Sequence, residues 1–292
     1  MEKVLTVEES RKRKKRRDFF RKFTAYILLS FIGISMILPF LWMVSTSLKE
    51  PEMVFIQVKP WWRNWIPQKI VWTNYIRAWK AVPFGRFYIN SIIVAVCVTV
   101  GVVFTSSFSA YAFSRLNFPG RDKLFFAYIA TMMIPGSVII IPQFALIRIF
   151  GWLDTYRALI IPAMFTAFGT FLLRQFFMTL PKDLEDAAKI DGCGYLGIYW
   201  RIVLPLSKPA LATLATLTFI GNWNSFMWPL LVTNKTELRT LPIGLEYFNS
   251  QYTTEWSLLM AGSLMVLLPV IILYVFNQRF FVEGVKLTGI KG

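Results

Sequence analysis

Apolar residues in this chain gather into long blocks instead of alternating with polar ones. Six blocks stand at 24–46, 88–113, 124–147, 157–177, 208–232 and 257–280, separated by shorter polar stretches. A run of about twenty apolar residues matches a helix that crosses a hydrocarbon layer, and a helix satisfies its own backbone there, as lipid requires. The pattern predicts an all-α, polytopic membrane protein with six transmembrane helices. Within the blocks, Pro39 and Pro269 interrupt the first and last. In the second, Gly101, Thr105 and Ser109 form one stripe of small side chains along which helices pack closely. Pro135, Gly136 and Pro142 loosen the third, beside the polar Gln143, and Pro162 and Gly169 interrupt the fourth, with Arg157 and Arg174 at its ends.

Composition agrees: hydrophobic residues make up 55% and aromatic residues 17% of the 292 positions. The formal charge of +16 suggests nucleic acid at first sight, but 10 of the 32 basic residues fall within the first 22 positions, against the first block. Anionic lipid headgroups explain RKRKKRR better than nucleic acid does. Basic residues favour the cytoplasmic side, so both termini are expected there. That orientation leaves the segment 47–87 outside, with Trp61, Trp62, Trp65, Trp72 and Trp79, which either anchor at the headgroups or belong to a loop that folds and meets an extracytoplasmic partner. Cys97 lies in the second block and Cys193 in an inner loop, so no disulfide is expected. The long basic start and long first block do not fit a cleavable signal peptide.

The stretch from Leu180 to Leu211 is too structured for a linker. Pro181 and the carboxylates Asp183, Glu185 and Asp186 suit a helix start, where the dipole favours negative charge. Gly192, after Asp191, suits the left-handed residue that ends a helix. A second short helix is expected to follow, with Tyr195, Leu196, Ile198, Tyr199, Ile202 and Val203 more apolar than a solvated loop needs; exposed apolar surface marks a partner. Asp186, Ala187, Ala188, then Gly192, then nine residues, then Ile202, Leu204 and Pro205 resemble the "EAA" loop of ABC-importer permeases, with Asp in place of the first Glu and Glu185 next to it. The alternative is an ordinary amphipathic loop on the lipid surface.

That resemblance, strongest at this loop and extending from the first block to the chain's end, implies a type I ABC-importer permease of the carbohydrate-uptake kind. The chain is similar to the smaller of the two permeases in maltose-type importers. It implies a second permease, an ATPase dimer and an extracytoplasmic solute-binding protein as partners, in a prokaryotic inner membrane. Glu185, Asp186, Ala187, Ala188, Asp191, Gly192, Ile202, Leu204 and Pro205 would form the ATPase-coupling loop. The expected layout is a basic cytoplasmic segment 1–23, a first helix 24–46, the outer loop 47–87, a five-helix core 88–281 containing the loop 179–207, and a cytoplasmic tail 282–292.

The segment GNWNSFMWPLL of the fifth block places Asn222 and Asn224 beside Trp223 and Trp228. Polar groups inside a bilayer are costly and often functional, and a similar WN…WPL segment is common in carbohydrate-importer permeases. Asn222, Trp223, Asn224, Trp228 and Gln143 are therefore candidates for a sugar pathway. Equally, the asparagines would bond across a helix interface while the tryptophans sit at the membrane surface. No Asp or Glu falls within the six blocks and the chain has no histidine, which disfavours proton or sodium coupling. GVKLTGIKG has two glycines at the Walker interval but Ile290 where lysine is required. ATP and Mg are thus expected on a partner ATPase, with no cofactor here and no enzyme activity. A permease for a polyol or glycerol phosphate, a sodium-coupled carrier and a non-transporting scaffold remain as alternatives.

Overall fold

The computed structural model describes residues 7–249 and 254–288, with side chains for 16–249 and 254–278. The expected segment 1–23 and tail 282–292 are described only in part, since residues 1–6 and 289–292 lie outside. The described residues fall into two units: residues through Ile76 with Glu255–Leu264, and Arg77 through Thr254 with residues from Met265 on.

In the first unit, α1 runs from Val7 to Ser47. It begins earlier than the predicted 24 because Lys and Arg are good helix formers and continue the helix out of the apolar block. Its apolar part, Arg16–Ser47, has a mean hydropathy of 2.3. The segment after it is folded. The amide of Asn74, at the start of α2 (Thr73–Ala81), donates to the carbonyls of Ser47 and Lys49 at 2.9 and 2.8 Å, satisfying acceptors that a helix end leaves bare. Lys49 Nζ lies 4.5 Å from the Trp42 ring and donates to the Asn64 carbonyl at 2.5 Å; burial pushes its amine below the usual lysine value. Trp65 packs edge-on against Trp42, while Trp61, Trp62 and Trp72 stay exposed.

The second unit is built on α3 (Phe84–Arg115), whose Val94, Val98 and Val102 are fully buried among Leu173, Phe177 and Leu214. The small-residue stripe works as expected. Gly101 lies against Met164, and Thr105 Oγ1 donates to the Met164 carbonyl at 2.7 Å. A Cβ on Gly169 would overlap Ser106, so that glycine sets a second close approach.

The third block corrects the expectation of a continuous span over 124–147. Helices α4 (Arg121–Ala130) and α5 (Gly136–Ile149) are joined through a 3₁₀ turn at Thr131–Met133 and meet at 98°. Ile134, preceding Pro135, is forced into extended backbone, with φ −84° and ψ 118°. In the fourth, α6 (Tyr156–Ile160) passes through a 3₁₀ turn, Ile161–Met164, into α7 (Ala167–Thr179). The loop 179–207 forms α8 (Asp183–Ile190), α9 (Tyr195–Ile198), a π-helical turn Tyr199–Val203 and α10 (Leu204–Leu206). The fifth block, expected as one helix over 208–232, divides into α11 (Lys208–Trp223) and α12 (Met227–Val232). After α13 (Leu241–Glu246), α14 runs from Trp256 to Thr288 with Pro269 inside it. Among the described residues, four helices are long and apolar enough to cross a membrane, and up to six spans result if each bent pair counts as one.

Candidate functional site

Helix α8 begins two residues after Pro181, with Asp183, Glu185 and Asp186 in its first turn. It ends in a Schellman turn. The Gly192 N–H donates to the Lys189 carbonyl at 3.0 Å and the Cys193 N–H to the Ala188 carbonyl at 2.8 Å, while Gly192 takes φ +79° after the cap residue Asp191.

The two adjacent carboxylates have opposite surroundings. Asp186 faces outward and pairs with Lys189 at 3.0 Å, a hydrogen bond that holds the lysine above its usual pKa. Glu185 turns inward to an ion pair with Arg115 at 3.0 Å, both side chains more than nine-tenths buried. The same guanidinium donates to the carbonyls of Leu180, at 2.8 Å, and Phe177. Both carbonyls lie at the end of α7, where the Phe177 one also accepts the Leu180 N–H, so one cation at the end of α3 ties three elements together. The second short helix rests on α3 as well: Tyr111 OH donates to the Tyr195 carbonyl at 3.0 Å, the Ser107 and Tyr199 hydroxyls are 2.7 Å apart, and Phe108 packs on Tyr199. Ile202 and Leu204 are half-buried against the core, whereas Leu184, Ala187, Ile190, Leu196 and Pro205 are exposed. Arg115, Ser107 and Tyr111 were not among the sequence candidates; the signal for Arg115 was a lone cation ending the second block.

Away from the loop, a cavity of about 340 Å³ opens where three spans lose helical geometry. Gly136 starts α5 after the first break, Pro162 and Ala163 belong to the 3₁₀ turn, and Ser225 lies between α11 and α12. Non-helical backbone at membrane depth is tolerated where protein covers it or a cavity receives it. Pro162 deprives the Ala158 carbonyl of its helical donor, and Trp228 Nε1 replaces it at 2.9 Å.

Of the pathway candidates, Gln143, Asn222 and Trp228 line this cavity, and Trp223 and Asn224 do not. Trp223 is 1% exposed, stacks on Phe219, and donates to the Val266 carbonyl at 3.1 Å; the end of α11 turns its ring into the packed interior. Asn224 is exposed outside the wall. The asparagine-interface alternative also fails for Asn222, whose amide bonds back to its own helix at Thr218, 2.9 Å away. Ser91, Ser225 and Thr240 complete the polar lining and carry no sequence signal beyond polarity. Among the described residues no group of three His, Cys, Asp or Glu is placed to hold a metal.

Between the α5–α6 connection and the segment after α12, Asp154 makes a staple. Its N–H donates to the Val232 carbonyl, and its carboxylate accepts the N–H groups of Asn234 and Lys235 at 2.5 and 2.9 Å. These bonds, the one from Lys235 foremost, hold the carboxyl below the usual aspartate pKa.

Residues 101–283 match the family model described as "binding-protein-dependent transport system inner membrane component". The chain is 40% identical over 227 residues to the sn-glycerol-3-phosphate transport system permease protein UgpE of Yersinia pestis bv. Antiqua, covering 75% of this chain and 81% of that protein. It is 36% identical over 227 residues to the arabinooligosaccharides transport system permease protein AraQ of Halalkalibacterium halodurans, covering 77% and 81%. Among solved structures, a chain of a bacterial ABC transporter involved in the import of the acidic polysaccharide alginate superposes with a TM-score of 0.81 at 26% identity, over 91% of this chain and 98% of that one.

Proposed function

This chain belongs to the family of inner-membrane components of binding-protein-dependent transport systems, and from that premise we propose that it forms half of the passage of an ATP-driven carbohydrate importer. The sodium-coupled carrier and the non-transporting scaffold give way to family membership. The observation that supports the passage is the cavity itself: three interrupted spans converge on it and supply Gln143, Asn222 and Trp228.

The loop of α8 to α10 is the proposed coupling element. It presents Leu184, Ala187, Ile190 and Leu196 outward while Glu185 and Tyr199 hold it to α3. An ATPase subunit seated on that face would move the loop, and the Arg115 junction would pass the motion to α3 and α7. ATP and Mg belong to the ATPase chain. The remaining proposed partners are a second permease, which completes the passage, and a solute-binding protein that delivers cargo from outside. The basic N-terminus sets both termini in the cytoplasm.

The likeness to the glycerol phosphate permease supports a second cargo reading at the same passage. Both readings share one test of the machine. In inside-out membrane vesicles, a thiol-directed photocrosslinker on Cys193 is expected to capture an ATPase chain, less efficiently when nucleotide rearranges the complex. Capture of lipid alone would make the loop a membrane-surface helix and remove the coupling role.

A further inference from the structure

The cavity has polar walls without charge. Gln143, Asn222, Ser225, Ser91 and Thr240 line it, and no Asp, Glu, Lys or Arg does. Several of these groups are idle. Among the described residues the Gln143 amide and the Ser225 hydroxyl enter no hydrogen bond, and Asn222 uses only its Nδ2, leaving Oδ1 free. Trp228 is different: its indole N–H is bound to Ala158, so its ring is fixed as a rigid apolar panel. A fixed aromatic panel with neutral donors and acceptors around it suits a ligand carrying many hydroxyls and some C–H faces. This wall offers a phosphate or carboxylate no cation to replace its water.

Thr240 stands out within this wall. It occupies the N-cap position of α13, where a threonine hydroxyl ordinarily accepts an N–H from the first turn. Here it caps nothing. Pro242 has no N–H to give, and the Leu241 N–H is taken by Ser91 Oγ at 2.9 Å. The Arg239 carbonyl just before it is held at 2.8 Å by the amide of Asn90, a fully buried residue whose Oδ1 in turn accepts from Tyr156. Thr240 is thus clamped on both sides, 4% exposed, with an Oγ1 that has no hydrogen-bond partner. A buried hydroxyl without a partner, on a rigid segment that borders the cavity, gains a hydrogen bond if a ligand reaches it.

We propose that this cavity is a binding subsite for an uncharged, hydroxyl-rich sugar, and that Thr240 is a specificity-determining contact in it. The inference rests on the importer reading above and adds that this subunit itself touches cargo and rejects anionic solutes.

The test uses the whole complex in proteoliposomes, with its partner permease, ATPase and binding protein. Labelled arabinotriose, maltotriose, xylotriose and cellotriose serve as neutral probes, and sn-glycerol 3-phosphate and a guluronate disaccharide as anions. Uptake of at least one neutral probe and neither anion is expected. Thr240→Val, which keeps the shape and removes the hydroxyl, should lower kcat/KM for that probe by about three- to ten-fold, the range for one neutral hydrogen bond, and Thr240→Ser should restore most of it. Gln143→Ala, at a half-buried position, should give a similar loss and covers the case in which Thr240→Val does not assemble, as judged by gel filtration. Uptake of only the anions overturns the proposal, as does undiminished neutral uptake in an assembled Thr240→Val complex or, where that variant does not assemble, in Gln143→Ala. Failure of the assembled wild-type complex to take up any probe would instead overturn the importer reading beneath it.

Discussion

The two ends of α3 handle polar groups in opposite ways. At the inner end, Arg115 meets Glu185 and two carbonyls, and the hydroxyls of Ser107 and Tyr199 meet each other. At the other end, the Asn90 and Ser91 side chains are spent holding the 237–241 segment in place, while neighbouring Gln143, Ser225 and Thr240 are left open. A buried, ion-paired junction resists deformation and so would transmit displacement. An unsaturated one gains by accepting a ligand. The difference separates a lever from a receptacle within a single 32-residue helix.

The largest expected effect comes from breaking the ion-paired end. Arg115→Ala leaves Glu185 charged and buried without a partner, a loss of about 3–5 kcal/mol by comparison with other broken buried pairs. A strongly lowered thermal midpoint in detergent should report it, and Arg115→Met with Glu185→Gln should recover a large part. Equal midpoints for Arg115→Ala and wild type would mean the pair is solvated after all.

Gly192→Val acts on the same end through the backbone. Its φ of +79° is unfavourable for any residue with a Cβ, by about 1–2 kcal/mol, and worse for a branched one. No neighbour lies within 4 Å of the added carbon, so the effect isolates conformation from crowding. Membrane insertion should persist while cargo uptake falls by at least about ten-fold; unchanged uptake would remove the turn from the coupling path.

Trp228→Phe probes the receptacle's rigidity. It keeps an aromatic panel but orphans the Ala158 carbonyl, for about 1–3 kcal/mol, and should raise KM for a neutral sugar more than it lowers kcat. The reverse split would make Trp228 part of the moving machinery.

The smallest effect is the outer staple. Asp154 has its carboxyl pKa lowered in the folded chain, so its contribution is present above the ordinary value of 3.8 and is lost as pH falls through the lowered one. Thermal midpoints of wild type and Asp154→Asn should therefore differ slightly near pH 6 and converge only below that value. A difference that does not shrink as pH falls below 3.8 would assign the effect to packing instead of charge.

Much of this arrangement is legible in the sequence because hydrocarbon imposes a length and a polarity on every span. The loop spacing was equally readable, since a helix stop needs Gly192 whatever its surroundings. What escaped were distinctions that depend on three-dimensional neighbours. Pro135 and Pro142 are alike in composition, yet the chain turns at the first and runs helically through the second. Trp223 and Trp228 look interchangeable five residues apart, but one is core and the other lines the cavity. Glu185 and Asp186 differ by a methylene, and only the position of Arg115 decides which is buried.

The π turn at Tyr199–Val203 gives the coupling loop a calibrated length. An α-helix advances about 100° per residue, and a π turn takes up one surplus residue without extending the helix by a full turn. The nine residues between Gly192 and Ile202 include that surplus, so Ile202 and Leu204 reach the core in phase while Tyr199 still meets Ser107. Removing one residue inside the turn would relax it to ordinary pitch and leave its flanks in phase, whereas removing one from the ordinary helix beside it would swing what precedes it by about 100° around the helix axis. A deletion scan of this loop should therefore find its tolerated site inside the π turn.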